Sequence, residues 1–527
     1  PNMPETWRDV SWFAGYVRPG ESASADFTIF NPNATYEAQV ELSATTYELV
    51  DAWTISGLTG PVYPADWAPY YIWGNITVLD RAQIPPDADL MVVVLTFPYS
   101  YFDVDNDYWE DNELWLYVGD WNDTNADGFI NKTEVYRIAW CAATGTSQQV
   151  YVGFPLETFQ FNPIIYVRQL SWTGPEQPIP FELRIEFWHR ADWNWLSFNT
   201  TSLTVPADGS AGFTATITIP EDALMGAYEG QIIVNATIGT SNYLLAIPVS
   251  VTVPLVIPPG TLSLDILAPE EQRLYDPFRV GGFFDWYWRY ETGDWKFWPI
   301  DIEDPTTILA LVFCNWTGQM TDVDMFAVNP SLAIVDGAVS PYLGDGCFAW
   351  YTRTNTTSEF VFLDIGLNPM VPPTTGVYTI LLHNVLFNGM IYPEELNCSI
   401  RLLYLSPRGT YSEPIMVYAR SGSAVIQEFT LATGLRINNI YALTAFFGLP
   451  DTDVPSSVVI DMLGNVSAGT TLPTTTSIFV PPNTSEGYYL AIMILNGTLA
   501  TTGTPITLFT FFNVTVDNTP PTGVIIT

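Results

Sequence analysis

The sequence predicts an all-β protein built of tandem β-sandwich domains. Three observations carry that prediction. Proline and glycine, 41 and 36 of 527 residues, punctuate the chain at short intervals. Between them lie short runs rich in Val, Thr and aromatic residues, the side chains that suit a pleated, half-buried surface. Helical periodicity is nearly missing, so the apolar residues have no helix face to line. Hydrophobic residues make up 48% of the chain and aromatics 15%, ample material for cores. A chain of this length divides into about three to five domains.

Charge defines the surface. Charged residues are only 14%, yet the formal net charge is −39, because lysine occurs only at Lys132 and Lys296. Such a surface repels nucleic acid and anionic lipid, and it attracts divalent cations. The longest uncharged apolar region, Tyr243–Pro259, is interrupted by prolines and alternates like a strand. It does not read as a membrane span.

Taken in order, residues 1–57 hold strands such as Ala25–Phe30 and Ala38–Ser43. So short a piece is marginal alone. It is expected to be a partial immunoglobulin-like sandwich, completed by another segment or another chain. Residues 58–162 form a jelly-roll-like unit around Asp123-Thr-Asn125-Ala-Asp127-Gly128-Phe129-Ile130-Asn131-Lys-Thr-Glu134. This stretch matches the twelve-residue calcium loop D-x-[DN]-x-[DN]-G-x5-E at every required position. Calcium takes about six to eight oxygens, and alternate residues of a curled loop point inward to supply them. Asp123, Asn125 and Asp127 offer side-chain oxygens, and Phe129 offers its carbonyl. Asn131 occupies the ninth position, and Glu134 closes the shell. Gly128 permits the turn and Ile130 anchors it. The flanks Leu114–Val118 and Val135–Trp140 are β-formers, so the loop is expected inside a β-hairpin rather than between helices. A second acidic ladder, Asp103, Asp105 and Asp107, has Glu110, Asp111 and Glu113 behind it. It lacks the glycine and the closing glutamate, and it is a candidate for a second calcium ion. An acidic, solvated loop is the alternative at both places.

Residues 163–255 and 406–519 share a phrase. Ile219-Pro220 leads to Gly226-Ala-Tyr228, and Val480-Pro481 leads to Gly487-Tyr-Tyr489. In the unit between them, Val371-Pro372 leads to Gly376-Val-Tyr378. Proline ends a strand, glycine turns the chain, and tyrosine starts the next strand with its hydroxyl placed to tie back to the corner. Both segments are predicted to be immunoglobulin- or fibronectin-like sandwiches, alternating with jelly-roll-like units. Residues 256–405 repeat the calcium-bearing unit. Ile84-Pro-Pro-Asp before Leu90–Thr96 returns as Ile302-Glu-Asp-Pro before Ile308–Phe313, and Asp103-Val-Asp105 returns as Asp322-Val-Asp324. The second copy lacks the calcium loop. Within the last segment, 520–527, Thr522–Thr527 reads as a strand with no place in its own domain. It either begins a further domain or is donated to a neighbouring chain's sheet edge.

Thirteen N-x-[ST] sequons dot the chain. Twelve are expected to carry N-glycans: Asn33, Asn75, Asn122, Asn199, Asn235, Asn315, Asn355, Asn397, Asn465, Asn483, Asn496 and Asn513. The thirteenth, Asn131, is expected to be bare, because a glycan there would compete with the ion. Their number argues for export. No signal segment precedes Pro1, which reads as a processed or excised chain. The four cysteines, Cys141, Cys314, Cys347 and Cys398, have no metal-ligand spacing. An oxidising exterior favours a disulfide within the unit 256–405, which holds three of them, and the connectivity stays open.

Several phrases carry a resemblance. They are Asp285-Trp-Tyr-Trp-Arg-Tyr-Glu-Thr-Gly-Asp294-Trp-Lys-Phe-Trp-Pro-Ile-Asp301, Asn315-Trp-Thr, Thr321–Phe326, Gly376-Val-Tyr and Leu381-Leu-His-Asn384. Together they resemble the accessory β-domains that follow the catalytic domain in large secreted archaeal subtilisin-like peptidases of the pyrolysin and tripeptidyl-peptidase type. The likeness covers about residues 160–520, by pattern more than by strict motif. The acidic, sequon-rich character is also similar to archaeal surface-layer glycoproteins. The peptidase machinery itself is missing from this sequence. A Ser-His-Asp mechanism needs a histidine beside its serine, and the chain has only His189 and His383, neither in a His-Gly-Thr context. The expected protein is therefore not an enzyme. It reads as a calcium-stabilised extracellular glycoprotein, a subunit of an archaeal surface filament or surface layer that self-associates through β-domain contacts or strand addition. The alternatives are the non-catalytic tail of a secreted peptidase, and a carbohydrate-binding adhesin using the aromatic run Phe283–Trp298.

Overall fold

The computed structural model describes residues 11–61, 73–105, 111–142, 145–153, 158–173, 177–267, 275–280, 294–319, 321–332, 357–386, 394–448 and 453–519. The chain opens with β1 (Trp12–Tyr16), β2 (Ser22–Asn31) and β3 (Ala38–Leu58). Then follow β4 (Gly60–Pro61), β5 (Trp73–Val78), β6 (Leu90–Thr96), a single helical turn α1 (Tyr99–Phe102), β7 (Asn112–Trp121), β8 (Val135–Cys141), β9 (Ser147–Gly153), β10 (Asn162–Ser171) and β11 (Pro180–Asp192). Next come β12 (Leu196–Phe198), β13 (Ser202–Val205), β14 (Gly209–Thr218), β15 (Gly226–Ile238) and β16 (Ser241–Val253).

The opening strands find their partners late in this series. β3 pairs with β13 and β15, β15 pairs with β16, and β1 runs parallel to β16. The facing sheet has the order β12-β14-β2. Inward alternation along β2 and the first half of β3 builds one core with Val40, Leu42, Phe213, Ile217, Ile232 and Val251. The sandwich begun by the first segment is thus completed by residues 196–253 of the same chain.

β3 is 21 residues long. Beyond Thr45 it leaves the sandwich and pairs with β11, which pairs with β6, which pairs with β9. The sheet β4-β5-β10-β7-β8 faces them across a core that includes Met91, Leu95, Leu114, Leu116, Ile165 and Leu183. The calcium-loop unit is therefore inserted between the third and fourth strands of the sandwich. The boundaries expected at 57/58 and 162/163 run along continuous sheets instead of separating units. β3 changes partners at Thr45, where its strict alternation of buried and exposed residues also lapses, but strand-forming residues continue through that point and leave no turn to mark a boundary.

The second half contains β17 (Leu255–Ile257), β18 (Ser263–Ile266), β19 (Arg279–Val280), β20 (Trp295–Ile302), β21 (Thr307–Asn315), β22 (Asp322–Val328), β23 (Ser358–Asp364), β24 (Gly376–Leu386), β25 (Glu394–Glu395) and β26 (Asn397–Ser406). It ends with β27 (Ile415–Ala419), β28 (Ala424–Thr433), β29 (Ile437–Phe447), β30 (Ser457–Val466), β31 (Thr470–Phe479), β32 (Gly487–Leu499) and β33 (Pro505–Val516). β24 lies between β20 and β22 as β10 lies between β5 and β7. β21 lies between β23 and β26 as β6 lies between β9 and β11. The repeated phrase in the sequence thus accompanies a repeated topology. The last seven strands repeat the first sandwich in the same way: β27 is parallel to β33, β29 lies between β30 and β32, and β28 pairs with β31. Here too a sheet crosses the expected boundary, because β26 pairs with β28 from Leu403↔Thr433 to Ser406↔Thr430.

The three glycine–tyrosine phrases fold alike. Tyr228 donates to the Leu224 carbonyl at 2.8 Å, Tyr378 to that of Thr374 at 2.7 Å, and Tyr489 to that of Ser485 at 2.9 Å. Each bond spans four residues and brackets a glycine at positive φ: Gly226 at 155°, Gly376 at 121° and Gly487 at 157°. L side chains rarely adopt that backbone, which explains the glycine. The two halves meet at Arg18. Its Nε reaches the fully buried Asp301 at 2.5 Å and its Nη2 reaches Glu303 at 2.5 Å. No helix among the described residues is long and apolar enough to cross a membrane.

Candidate metal centre

The loop 122–134 joins β7 to β8, which pair antiparallel from Leu116↔Cys141 to Trp121↔Val135. The Asn122 amide donates to the Glu134 carbonyl at 2.9 Å and closes the base of the hairpin. Gly119 lets the strands approach, since a Cβ there would lie 3.0 Å from Val135 Cγ1 and 3.1 Å from the Tyr136 carbonyl. Ala126 and Gly128 have φ of 55° and 73°, which curls the chain through positions four to six of the loop. Ile130 packs inward against the buried cluster of Tyr117, Ile164 and Tyr166, while the Phe129 ring points to solvent, 66% exposed.

This curl orients the oxygens. Asp123 Oδ1 accepts from the Asp127 amide at 3.1 Å, and Asp123 Oδ2 accepts from the Gly128 amide at 3.0 Å. Asn125 Oδ1 accepts from the Asp127 amide at 3.0 Å, and Asp127 Oδ1 from the Phe129 amide at 2.8 Å. On the opposite side, the Asn131 amide nitrogen donates to Glu134 Oε2 at 3.0 Å and to the Phe129 carbonyl at 3.4 Å. Glu134 Oε1 accepts from the Thr124 hydroxyl at 2.7 Å and the Thr124 amide at 3.2 Å. Those bonds, that of Thr124 first and then that of Asn131, hold the Glu134 carboxyl below the usual carboxylate range. It is an anion at neutral pH. All six predicted ligand residues therefore lie in one hydrogen-bonded loop, although the carboxylates of Asp123, Asp127 and Glu134 do not all come within 4.8 Å of one another. The Asn131 N–H group bridges two oxygens, a position a cation would contest. Half a turn of that amide would present Oδ1 instead.

At the other end of β7, about 30 Å away along a ten-residue strand, the first acidic ladder folds differently from its sequence order. Asp103, Asp105 and Asp111 bring carboxylate oxygens within 4.8 Å of one another, the only such group of three acidic, histidine or cysteine side chains among the described residues. Asp107 and Glu110 lie outside the described residues. Asp111 joins the cluster because its amide donates to the Phe102 carbonyl at 2.7 Å, folding the loop back on α1. Its Oδ2 accepts from the Val104 amide at 2.7 Å, and its Oδ1 accepts from the Thr173 hydroxyl. Asp103 Oδ2 accepts from the Tyr99 hydroxyl at 3.0 Å. Asp103 and Asp111 are buried and Asp105 is exposed. Glu113 is buried and accepts from Trp115 Nε1 at 2.8 Å. An all-oxygen, carboxylate-rich donor set of this kind suits a hard divalent cation such as calcium.

The described asparagines of the predicted glycosylation sequons are all at least partly accessible. Asn199, Asn235, Asn465 and Asn483 are exposed, and Asn33, Asn75, Asn122, Asn315, Asn397, Asn496 and Asn513 are half-buried. Asn355, Cys347, the terminal Thr522–Thr527 and most of the aromatic run, 283–293, lie outside the described residues. The two histidines sit in different halves. His189 Nε2 lies 3.6 Å from Glu48, and His383 stacks on Trp295 with centroids 4.2 Å apart.

No family model and no curated protein matches the chain. Some solved structures are alike in part. The Bacillus subtilis sporulation control protein Spo0M is 12% identical over 22% of this chain and 47% of its own, with a TM-score of 0.14. A Parabacteroides merdae β-glucuronidase is 11% identical over 42% and 27%, with a TM-score of 0.16. A DUF4785 family protein from Legionella pneumophila is 10% identical over 48% and 64%, with a TM-score of 0.14. The chain thus spans less than two thirds of each.

Proposed function

We propose that the chain is a calcium-stabilised structural glycoprotein of a cell exterior, archaeal by the resemblance of its sequence, which self-associates into a filament or layer and performs no reaction. The observation that carries this reading is the loop 122–134. A full calcium-loop motif closes a β-hairpin, with the side chains of Asp123, Asn125, Asp127, Asn131 and Glu134 hydrogen-bonded within that loop. A second ion at Asp103, Asp105 and Asp111 would place a clamp at each end of β7. Calcium then fixes the inserted unit instead of assisting chemistry. Accessible sequons support N-glycans on the outer surface. An exposed sheet edge supports self-association. Among the described residues β30 pairs in its sheet with β29 alone, and Val458, Ile460 and Met462 alternate outward at 47%, 59% and 74% exposure. Such an edge offers backbone hydrogen bonds together with an apolar stripe.

The test uses the full chain, with calcium and with a chelator. Isothermal titration counts ions, and electron microscopy of the same samples reads assembly. Two bound calcium ions and an ordered polymer that loosens on chelation are expected. A chain that binds no calcium, or assembles identically in chelator, overturns the reading.

A further inference from the structure

Cys314 on β21 and Cys398 on β26 are direct cross-strand partners. Both are thiols in the structure, and both lie in one core at 0% and 1% exposure, so their side chains share a face. The hydrogen bonds around them fix the kind of pair. In β26, Leu402 donates to the Leu262 carbonyl and accepts from the Gly434 amide, both on the side away from β21. Cys398 lies four residues earlier in the same unbroken register, so its amide and carbonyl face the same way. Along β21, Ile308 accepts from the Ile365 amide and Trp316 donates to the Thr357 carbonyl, both on the β23 side. Cys314 lies in phase with them, its backbone turned from β26. The two cysteines therefore form a non-hydrogen-bonded pair. Cα atoms of such pairs approach to about 4.5 Å, within the roughly 4.4–6.8 Å that a disulfide spans.

We infer that Cys314 and Cys398 form a disulfide that staples β21 to β26 when the protein folds in an oxidising compartment. The step balances simply. Each thiol loses one proton and one electron, the sulfurs join, and the electron pair reduces an incoming disulfide, such as oxidised glutathione, to two thiols. Burial pushes both thiols up from their ordinary acidity, so thiolate for exchange is scarce in the finished core. The bond is made before β26 docks fully, and once made it is shielded from reductant. It closes a loop of about 85 residues, long enough for a large effect on the unfolded chain. The inference rests on strand geometry and is independent of the metal reading.

The experiment refolds the full chain in a glutathione redox buffer, denatures it, blocks thiols with iodoacetamide without reductant, and maps peptides by mass spectrometry. One pair of peptides joined through Cys314 and Cys398 is expected, about 2 Da below the sum of the reduced pair, with Cys141 alkylated. Complete reduction lowers the melting midpoint of this region by about 5–15 °C. C347S is expected to keep both the linkage and the reductant sensitivity. Because C314V/C398V removes two buried side chains and can fail to fold, the peptide map of the native sequence is decisive. Alkylation of both cysteines in the oxidised chain, or linkage of either to Cys347 or Cys141, overturns the inference.

Discussion

Replacing Glu134 by glutamine separates a metal-binding loop from a merely acidic one. Glu134 Oε1 already accepts two bonds from Thr124. The amide oxygen of E134Q keeps those two acceptor sites, and half a turn of the Asn131 amide presents its Oδ1 to the new N–H group in place of the bond to Oε2, so the stability of the calcium-free protein should change little. Calcium, by contrast, should lose a charged bidentate ligand. An ion bound only by the folded unit adds about 2.7 kcal/mol when free calcium exceeds its dissociation constant a hundredfold. For a unit the size of residues 46–192, that corresponds to about 5–10 °C in melting midpoint. The assay is calorimetry of the full chain in D105N background, which silences the acidic cluster, with hydrogen exchange at amides 122–135 as the local readout. The D105N protein should melt about 5–10 °C higher in calcium than in chelator, with slowed exchange at the Asp127 and Gly128 amides. E134Q/D105N should show neither change. Equal midpoints for D105N in calcium and chelator, or a full shift retained by E134Q/D105N, would refute the reasoning.

The other predictions concern the same molecule at rest. Tyr378 is wholly buried and its hydroxyl meets two carbonyls, those of Thr374 and Asp364. Y378F should therefore destabilise by about 1.5–3 kcal/mol, against about 0.5–1 for Y228F, whose corner is solvated; chemical denaturation reads the difference. R18M leaves the buried Asp301 without its cation, and because Arg18 is itself 36% exposed the loss should be about 2–3 kcal/mol. Limited proteolysis between the halves and recovery by R18M/D301N check it. Because the folded Glu134 carboxyl is lowered, its contribution is whole above the ordinary 4.5 and is lost as pH falls through the lower folded value; E134Q should flatten the acid limb of the stability curve. Glycopeptide mapping should find Asn199, Asn235, Asn465 and Asn483 occupied and Asn131 bare.

What the sequence made legible is local. The calcium motif, its β-hairpin setting and the tyrosine ties each span about a dozen residues or fewer, and residue identity alone dictates them. The all-β class followed from punctuation and from β-forming residues. The insertion was not legible. β3 loses its strict alternation at Thr45–Tyr47, but which strand lies beside it on either side of that point is decided by partners as distant as Gln231 and Asp192. The acidic cluster was half legible. Asp103 and Asp105 stood out by spacing, whereas Asp111 enters only because a backbone bond to Phe102 folds the chain back. The facing of Cys314 and Cys398 likewise depends on register between strands more than 80 residues apart, and register is a property of the packed sheet.

The two copies of the repeated unit differ at one corner in how their acidic side chains are arranged. In the first copy the connection from β6 to β7 carries α1 and gathers Asp103, Asp105 and Asp111. In the second copy the matching connection, from β21 to β22, is short. There the buried Glu394 carboxylate accepts from the Thr317 amide at 3.1 Å and hydroxyl at 3.3 Å, and also from the Gly318 amide and the Thr321 hydroxyl. One buried anion surrounded by N–H and O–H donors is satisfied by the chain itself. Three carboxylates within 4.8 Å, two of them buried, repel one another, and a divalent cation relieves that repulsion directly. The same corner thus holds one buried acidic side chain surrounded by donors in one copy and three clustered carboxyl groups in the other, the arrangement on which the proposed second ion rests. The longer connection in the first copy, rather than a difference in the strands, is what gathers the acidic side chains.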